Sequence, residues 1–134
     1  MNSLSKTDLE NLQADLSSLT NSALIGVLVG YGSMVLNFSN GASLLVQCPF
    51  DANDGLVSRA GHGLSADTST ILFQFLNADI VGVSVDGVGQ IDFDFGAGRG
   101  LRIIPDNSGF ESYVLRTSKG IFPVIGANPS SRGP

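Results

Sequence analysis

The chain has 134 residues, 43% hydrophobic and 14% charged, and 7 Lys and Arg against 12 Asp and Glu leave a net charge of −5. At this length roughly two-thirds of the unfolded surface can be buried, so a single domain over residues 1–134 is expected and a long disordered chain is excluded. A low charge fraction with 17 Gly and 8 Phe points to an α+β fold that is mostly β, with glycine-rich turns.

Residues 5–20 read as an amphipathic helix, because Leu9, Leu12, Leu16 and Leu19 fall on one stripe. Thr7 and Glu10 fit a capping box in front of it. From residue 24 the apolar period changes to two. Ile25, Val27 and Val29 alternate, Gly30-Tyr31-Gly32-Ser33 turns the chain, Met34, Leu36 and Phe38 alternate again, and Leu44 and Val46 follow the Ser39-Asn40-Gly41 turn. This predicts a three-stranded meander, a first β repeat over 24–48.

Residues 49–66 are rich in turn formers and are expected to be a surface loop. Residues 67–77 fit either a short helix or a strand; Leu72, Phe75 and Leu76 would share one covering face in a helix, which is the assignment adopted. A second β repeat is expected over 79–105. Its Val81-Gly82-Val83-Ser84-Val85 matches Ile25-Gly26-Val27-Leu28-Val29 at an offset of 56 residues, and Ile91, Phe93, Phe95, Leu101 and Ile103 match Met34, Leu36, Phe38, Leu44 and Val46 at 57. The shared order of turns and the paired Gly26 and Gly82 point to an internal duplication. Two meanders would bury their apolar faces against each other or under the helices. Residues 110–125 are expected to close the fold as a C-terminal hairpin with Pro123 on an edge strand, and 126–134 to form a flexible tail.

The charges are unevenly spread. After Lys6 no base occurs until Arg59, while Asp51 and Asp54, then Asp86, Asp92 and Asp94, accumulate before Arg99. An acidic balance argues against a nucleic-acid binder, which needs a basic footprint, and suits a basic partner. Gln90-Ile91-Asp92-Phe93-Asp94-Phe95 carries the clearest pattern: on a strand, Ile91, Phe93 and Phe95 face inward and the two carboxylates face out, within reach of Arg102 on the next strand.

Other constellations fall short of chemistry. Asp51-Ala52-Asn53-Asp54-Gly55 resembles a calcium loop with its glycine one position early and His62 where the closing glutamate belongs, so no metal is expected and a turn explains it. Gly96-Ala97-Gly98-Arg99-Gly100 lies between two strands with no following helix to hold a phosphate. A hydrolase using His62 lacks an ordered nucleophile, and Cys48 ends an apolar strand as a buried thiol. No catalytic residue and no cofactor are assigned. No apolar run approaches the length of a membrane span, and Met1 to Glu10 lacks a secretory leader's basic start and apolar stretch, so a cytoplasmic protein with no membrane partner is expected. An exposed edge strand would be able to join two copies.

The segments Ile80 to Phe95, Leu101 to Asp106 and Phe110-Glu111-Ser112-Tyr113 resemble small bacterial two-repeat β-rich proteins, among them families of unknown function and immunity proteins of contact-dependent and polymorphic toxin systems. Tyr113 stands where that pattern has Trp, and Arg99-Gly100 interrupts its acidic hairpin tip. The resemblance implies a non-catalytic immunity protein that neutralises a basic toxin domain, such as a nuclease. Asp86, Asp92, Asp94, Asp51 and Asp54 would then steer the partner, and Tyr31 in its glycine-flanked turn would anchor it. The alternative is a small ligand-binding or structural β module with no toxin partner.

Overall fold

The computed structural model describes residues 4–106 and 111–125; the expected tail and Phe110 lie outside them. The chain is α+β and mostly β, with an N-terminal helix and two antiparallel sheets of five strands. Helix α1 spans Lys6–Ser17, β1 Leu24–Gly30, β2 Ser33–Phe38, β3 Ser43–Val46, β4 Pro49–Asp54 and β5 Ser58–His62. A 3-10 helix follows at Ala66–Phe75, then β6 Gly82–Val85, β7 Ile91–Gly96, β8 Arg99–Ile103, β9 Glu111–Thr117 and β10 Gly120–Ile125.

The helix cap differs from expectation. Ser5, two residues before Thr7, is the N-cap, and its hydroxyl accepts the Asp8 N–H at 3.0 Å. Leu12, Leu16 and Leu19 are fully buried, while Leu9 is only half-buried. The expected loop over 49–66 is mostly a β-hairpin. Its turn is built by side chains: Asn53 Oδ1 accepts the Gly55 N–H at 2.8 Å, and Asp54 Oδ1 accepts those of Leu56 and Val57 at 2.8 and 2.9 Å. The turn formers that read as a loop close a hairpin in which only Phe50 and Ala52 are fully buried. Residues 67–77 are helical as expected, but of the 3-10 type; Leu72 and Phe75 are buried, whereas Leu76 stays exposed beside Leu24.

One sheet has the order β1-β2-β3-β9-β10 and the other β5-β4-β8-β7-β6. Each meander therefore keeps its own sheet while the hairpin that follows it crosses over: β4–β5 extends the second meander through β8, and β9–β10 extends the first through β3. The halves meet in matched contacts. Ala23 and Asp79 pair in an antiparallel bridge. Asn21 N–H donates to the Ile80 carbonyl at 2.8 Å and Asn77 N–H to that of Leu24 at 2.7 Å, while Ile80 N–H reaches Ser22 and Leu24 N–H reaches Ala78. Each bond is the other's counterpart at the 56-residue offset, so a local two-fold axis runs through the Ala23–Asp79 bridge. Asn21 and Asn77 both hold the left-handed turn that this entry requires, at φ of 72° and 67°.

The inner faces share one apolar core, in which the rings of Phe38 on β2 and Phe93 on β7 stack at 5.8 Å. The outer faces differ. Across the first sheet, Leu28, Val35, Leu45, Val114 and Pro123 are in register as an apolar row. The corresponding row of the second sheet is Ser84, Asp92, Arg102, Asp51 and Ala60.

Candidate functional site

The polar row is positioned by the alternation of β7, β8 and β4. Burial of Ile91, Phe93 and Phe95 forces Asp92 and Asp94 outward; Leu101 and Ile103 do the same for Arg102, and Phe50 and Ala52 for Asp51. Register then sets Asp92 and Asp51 on either side of Arg102. Arg102 Nε donates to Asp92 Oδ1 at 2.7 Å. That hydrogen bond, then the charge of Asp92, and more weakly Asp51 and Asp86, hold the guanidinium pKa above its ordinary value.

The next row consists of Ser58, Asn53, Gly100, Asp94 and Gly82. Gly100 puts no side chain between Asn53 and Asp94, which leaves a depression of about 260 Å³ bordered by Asp51, Asn53, Ser58, Asp92 and Arg102. Its chemistry is that of a cation socket: two carboxylates, an amide and a hydroxyl surround the gap, and the nearest cation is already engaged by Asp92.

The remaining acids shape turns. Asp86 Oδ1 accepts the N–H groups of Val88 and Gln90 at 3.0 and 2.9 Å, and Asp94 Oδ1 that of Gly96 at 2.8 Å. The Val57 and Leu56 N–H groups hold the Asp54 carboxyl below the usual range. Thus Asp51 and Asp92 share the depression, Asp94 stands in the adjoining row, and Asp54 and Asp86 sit at strand ends. Tyr31 is fully exposed but lies in the β1–β2 turn of the other sheet, so it does not join the acids on one face. Asn53 and Gly100 figure in the sequence only in loops read as turns, and neither they nor Ser58 are assigned to a binding face there. The alternation Pro49-Phe50-Asp51-Ala52-Asn53 was the available signal, hidden by the turn formers around it.

A second cluster surrounds Cys48. Its thiol is fully buried, and burial, followed by the Asp106 carboxylate, pushes its pKa up to about 12. It is therefore protonated at neutral pH, the opposite of what a nucleophile needs. His62 Nε2 stands 3.7 Å from Asp106 Oδ2, and its Nδ1 accepts the Leu64 N–H at 3.1 Å. Tyr113 donates to the Gly89 carbonyl at 2.6 Å, and burial raises its phenol pKa. These groups tie the β3–β4 corner and the β6–β7 turn into the core. Among the described residues no group of three or more His, Cys, Asp or Glu is placed to hold a metal ion, and no helix is long and apolar enough to cross a membrane.

In comparisons with known proteins, no family model, curated protein or solved structure matches this chain.

Proposed function

We propose that this protein is a non-catalytic binding protein whose second sheet takes up a basic surface of another protein, and that it acts as an immunity protein against a basic toxin domain in the cytoplasm. The observation that supports it is the placement of Asp51 and Asp92 around the gap at Gly100, with Asp94 beside them, on an exposed face of a five-stranded sheet. A Lys or Arg of the partner entering that gap meets two carboxylates whose positions are set by the strands, so little side-chain ordering is left to be done on binding. The surrounding acids, Asp54 and Asp86 included, accelerate encounter with a positive surface, an effect that salt screens over about 10 Å at 0.1 M. A nuclease domain, basic because it handles phosphates, is the narrower form of such a partner.

Paired affinity captures from lysate of the source organism test this, using the wild-type chain and Asp92→Lys/Asp94→Lys as baits at low and raised salt. The expected result is one basic protein held 1:1 by the wild type, released as salt rises, and bound at least about tenfold more weakly per reversed charge. A partner whose affinity and salt dependence are unchanged by the double reversal would overturn the assignment of this face.

A further inference from the structure

Four strands lie at sheet edges: β1 and β10 in one sheet, β5 and β6 in the other. Three carry a guard. At β6 the Gln13 side chain donates to the Val83 carbonyl at 3.1 Å and accepts the Val85 N–H at 3.0 Å. β10 contains Pro123, which has no N–H. At β5 the Thr68 hydroxyl accepts the His62 N–H at 3.1 Å, and Arg59 adds a charge.

At β1 the first residue, Leu24, is bridged to Leu76 and bonded to Asn77 and Ala78, but Val27 to Val29 carry none of these guards. At the 56-residue offset, Val27 and Val29 are the counterparts of Val83 and Val85. Gly30 and Ser33 pair across the two-residue turn at Tyr31-Gly32, so alternation points the backbone N–H and C=O of Val27 and Val29 away from β2. Among the described residues nothing bonds to that edge of Val27 or Val29. The same offset matches Leu16 with Leu72, Leu19 with Phe75 and Gln13 with Ser69, which is buried and too short to repeat the clamp. The strand also lacks charge: no Asp, Glu, Lys or Arg occurs between Leu16 and Phe50. Ile25, Leu28, Val29 and Tyr31 are all exposed.

We propose that β1 is a self-association site, at which two copies of the chain pair antiparallel about a two-fold axis at Leu28 and join their five-stranded sheets into one continuous sheet. The edge is complementary to itself. With the axis at Leu28, Val27 of each copy faces Val29 of the other, and both pairs exchange two backbone hydrogen bonds. Leu28 meets its own copy on the outer face, where it extends the apolar row of Val35 and Leu45. The exposed Val29 and Leu28 thereby gain neighbours, while Ile25 at the bulge and Tyr31 in the turn lie beyond the regular pairing. The net charge does not oppose the contact, because Asp51, Asp92 and Asp94 belong to the other sheet. The inference is independent of the acidic face.

A contact of one short strand is small, which places dissociation in roughly the micromolar to millimolar range. Sedimentation equilibrium of the full chain from roughly 10 µM to 1 mM tests it, together with Leu28→Lys, which installs a charged edge guard, and Val29→Pro, which removes an outward N–H. A concentration-dependent dimer weakened tenfold or more by either variant supports the proposal. Amide exchange of the wild type adds a reading that needs no variant: Val27 and Val29 should exchange quickly in dilute solution and slow as the dimer fills. A monomer throughout, a dimer indifferent to both variants, open-ended oligomers, or unchanged exchange at Val27 and Val29 would each overturn it.

Discussion

The side chain of Gln13 stands beside Val85 as a neighbouring strand would: its amide accepts the Val85 N–H at 3.0 Å and donates to the Val83 carbonyl at 3.1 Å. One residue of α1 thereby satisfies the outward donor and acceptor of β6 and fixes the helix against the sheet edge. Gln13→Ala should cost about 1–3 kcal/mol, two hydrogen bonds and an uncovered edge. Amide exchange would show the loss first at Val85, with a smaller effect on β1. Unchanged protection at Val85 would contradict a clamp.

Cys48 makes stability depend on alkaline pH. Burial raises its thiol pKa to about 12 from an ordinary 9.0, and the buried phenol of Tyr113 shifts in the same direction. Below pH 9 both states keep the thiol proton and its contribution is constant. Between about 9 and 12 the unfolded chain loses the proton and the folded chain keeps it, so stability falls as pH rises, by up to roughly 4 kcal/mol from the thiol. Denaturant titrations from pH 7 to 11 should show this fall, and Cys48→Ala, after its own cavity cost, should remove the thiol's part of it and leave the part that begins near pH 10 and belongs to Tyr113. A thiol reagent at pH 8 should label Cys48 only as fast as the chain opens.

Two glycines separate close approach from mere presence in a β pattern. A Cβ on Gly63 would fall on the Val46 carbonyl, within the tight passage after β5, whereas one on Gly82 would meet nothing within 4 Å. Gly63→Ala should therefore destabilise by about 1–3 kcal/mol or prevent folding, and Gly82→Ala should be tolerated. Thermal melts of the two variants compare them directly.

Arg102 is the cation within the acidic depression. Its pair with Asp92 is exposed on both sides, so Arg102→Ala should change stability by less than about 1 kcal/mol. It should also make the face more negative and speed association with a basic partner at low salt. Stopped-flow association with the captured partner checks this; slower binding would mean that Arg102 contacts the partner itself.

The period-two alternation of β2, β3, β7 and β8 was legible because each of these strands buries one face and exposes the other, so its side chains report the core directly, whereas the edge strands β1 and β6 alternate in sequence but leave Ile25, Val29 and, just before β6, Val81 exposed. The same holds for Leu12, Leu16 and Leu19 on α1 and for Asp92 and Asp94 facing out beside Arg102. The β4–β5 hairpin was not legible: its strands bury little beyond Phe50 and Ala52, and its turn uses Asn53, Asp54 and Gly55, residues that read as loop. Nor was the helix start, since Ser5 and Thr7 both offer a capping oxygen and only the placement of the chain selects one.

The sequence by itself determined the secondary-structure periods, the repeat and the acidic balance, because these are local properties of spacing and composition. Only the tertiary structure decided which hairpin joins which meander, since backbone pairing between distant strands depends on the shared core at Phe38 and Phe93 and on the matched contacts about Ala23 and Asp79. That exchange places Asp51 of β4 beside Arg102 of β8, leaves Tyr31 on the other sheet, and leaves β1 without the clamp that Gln13 gives to β6.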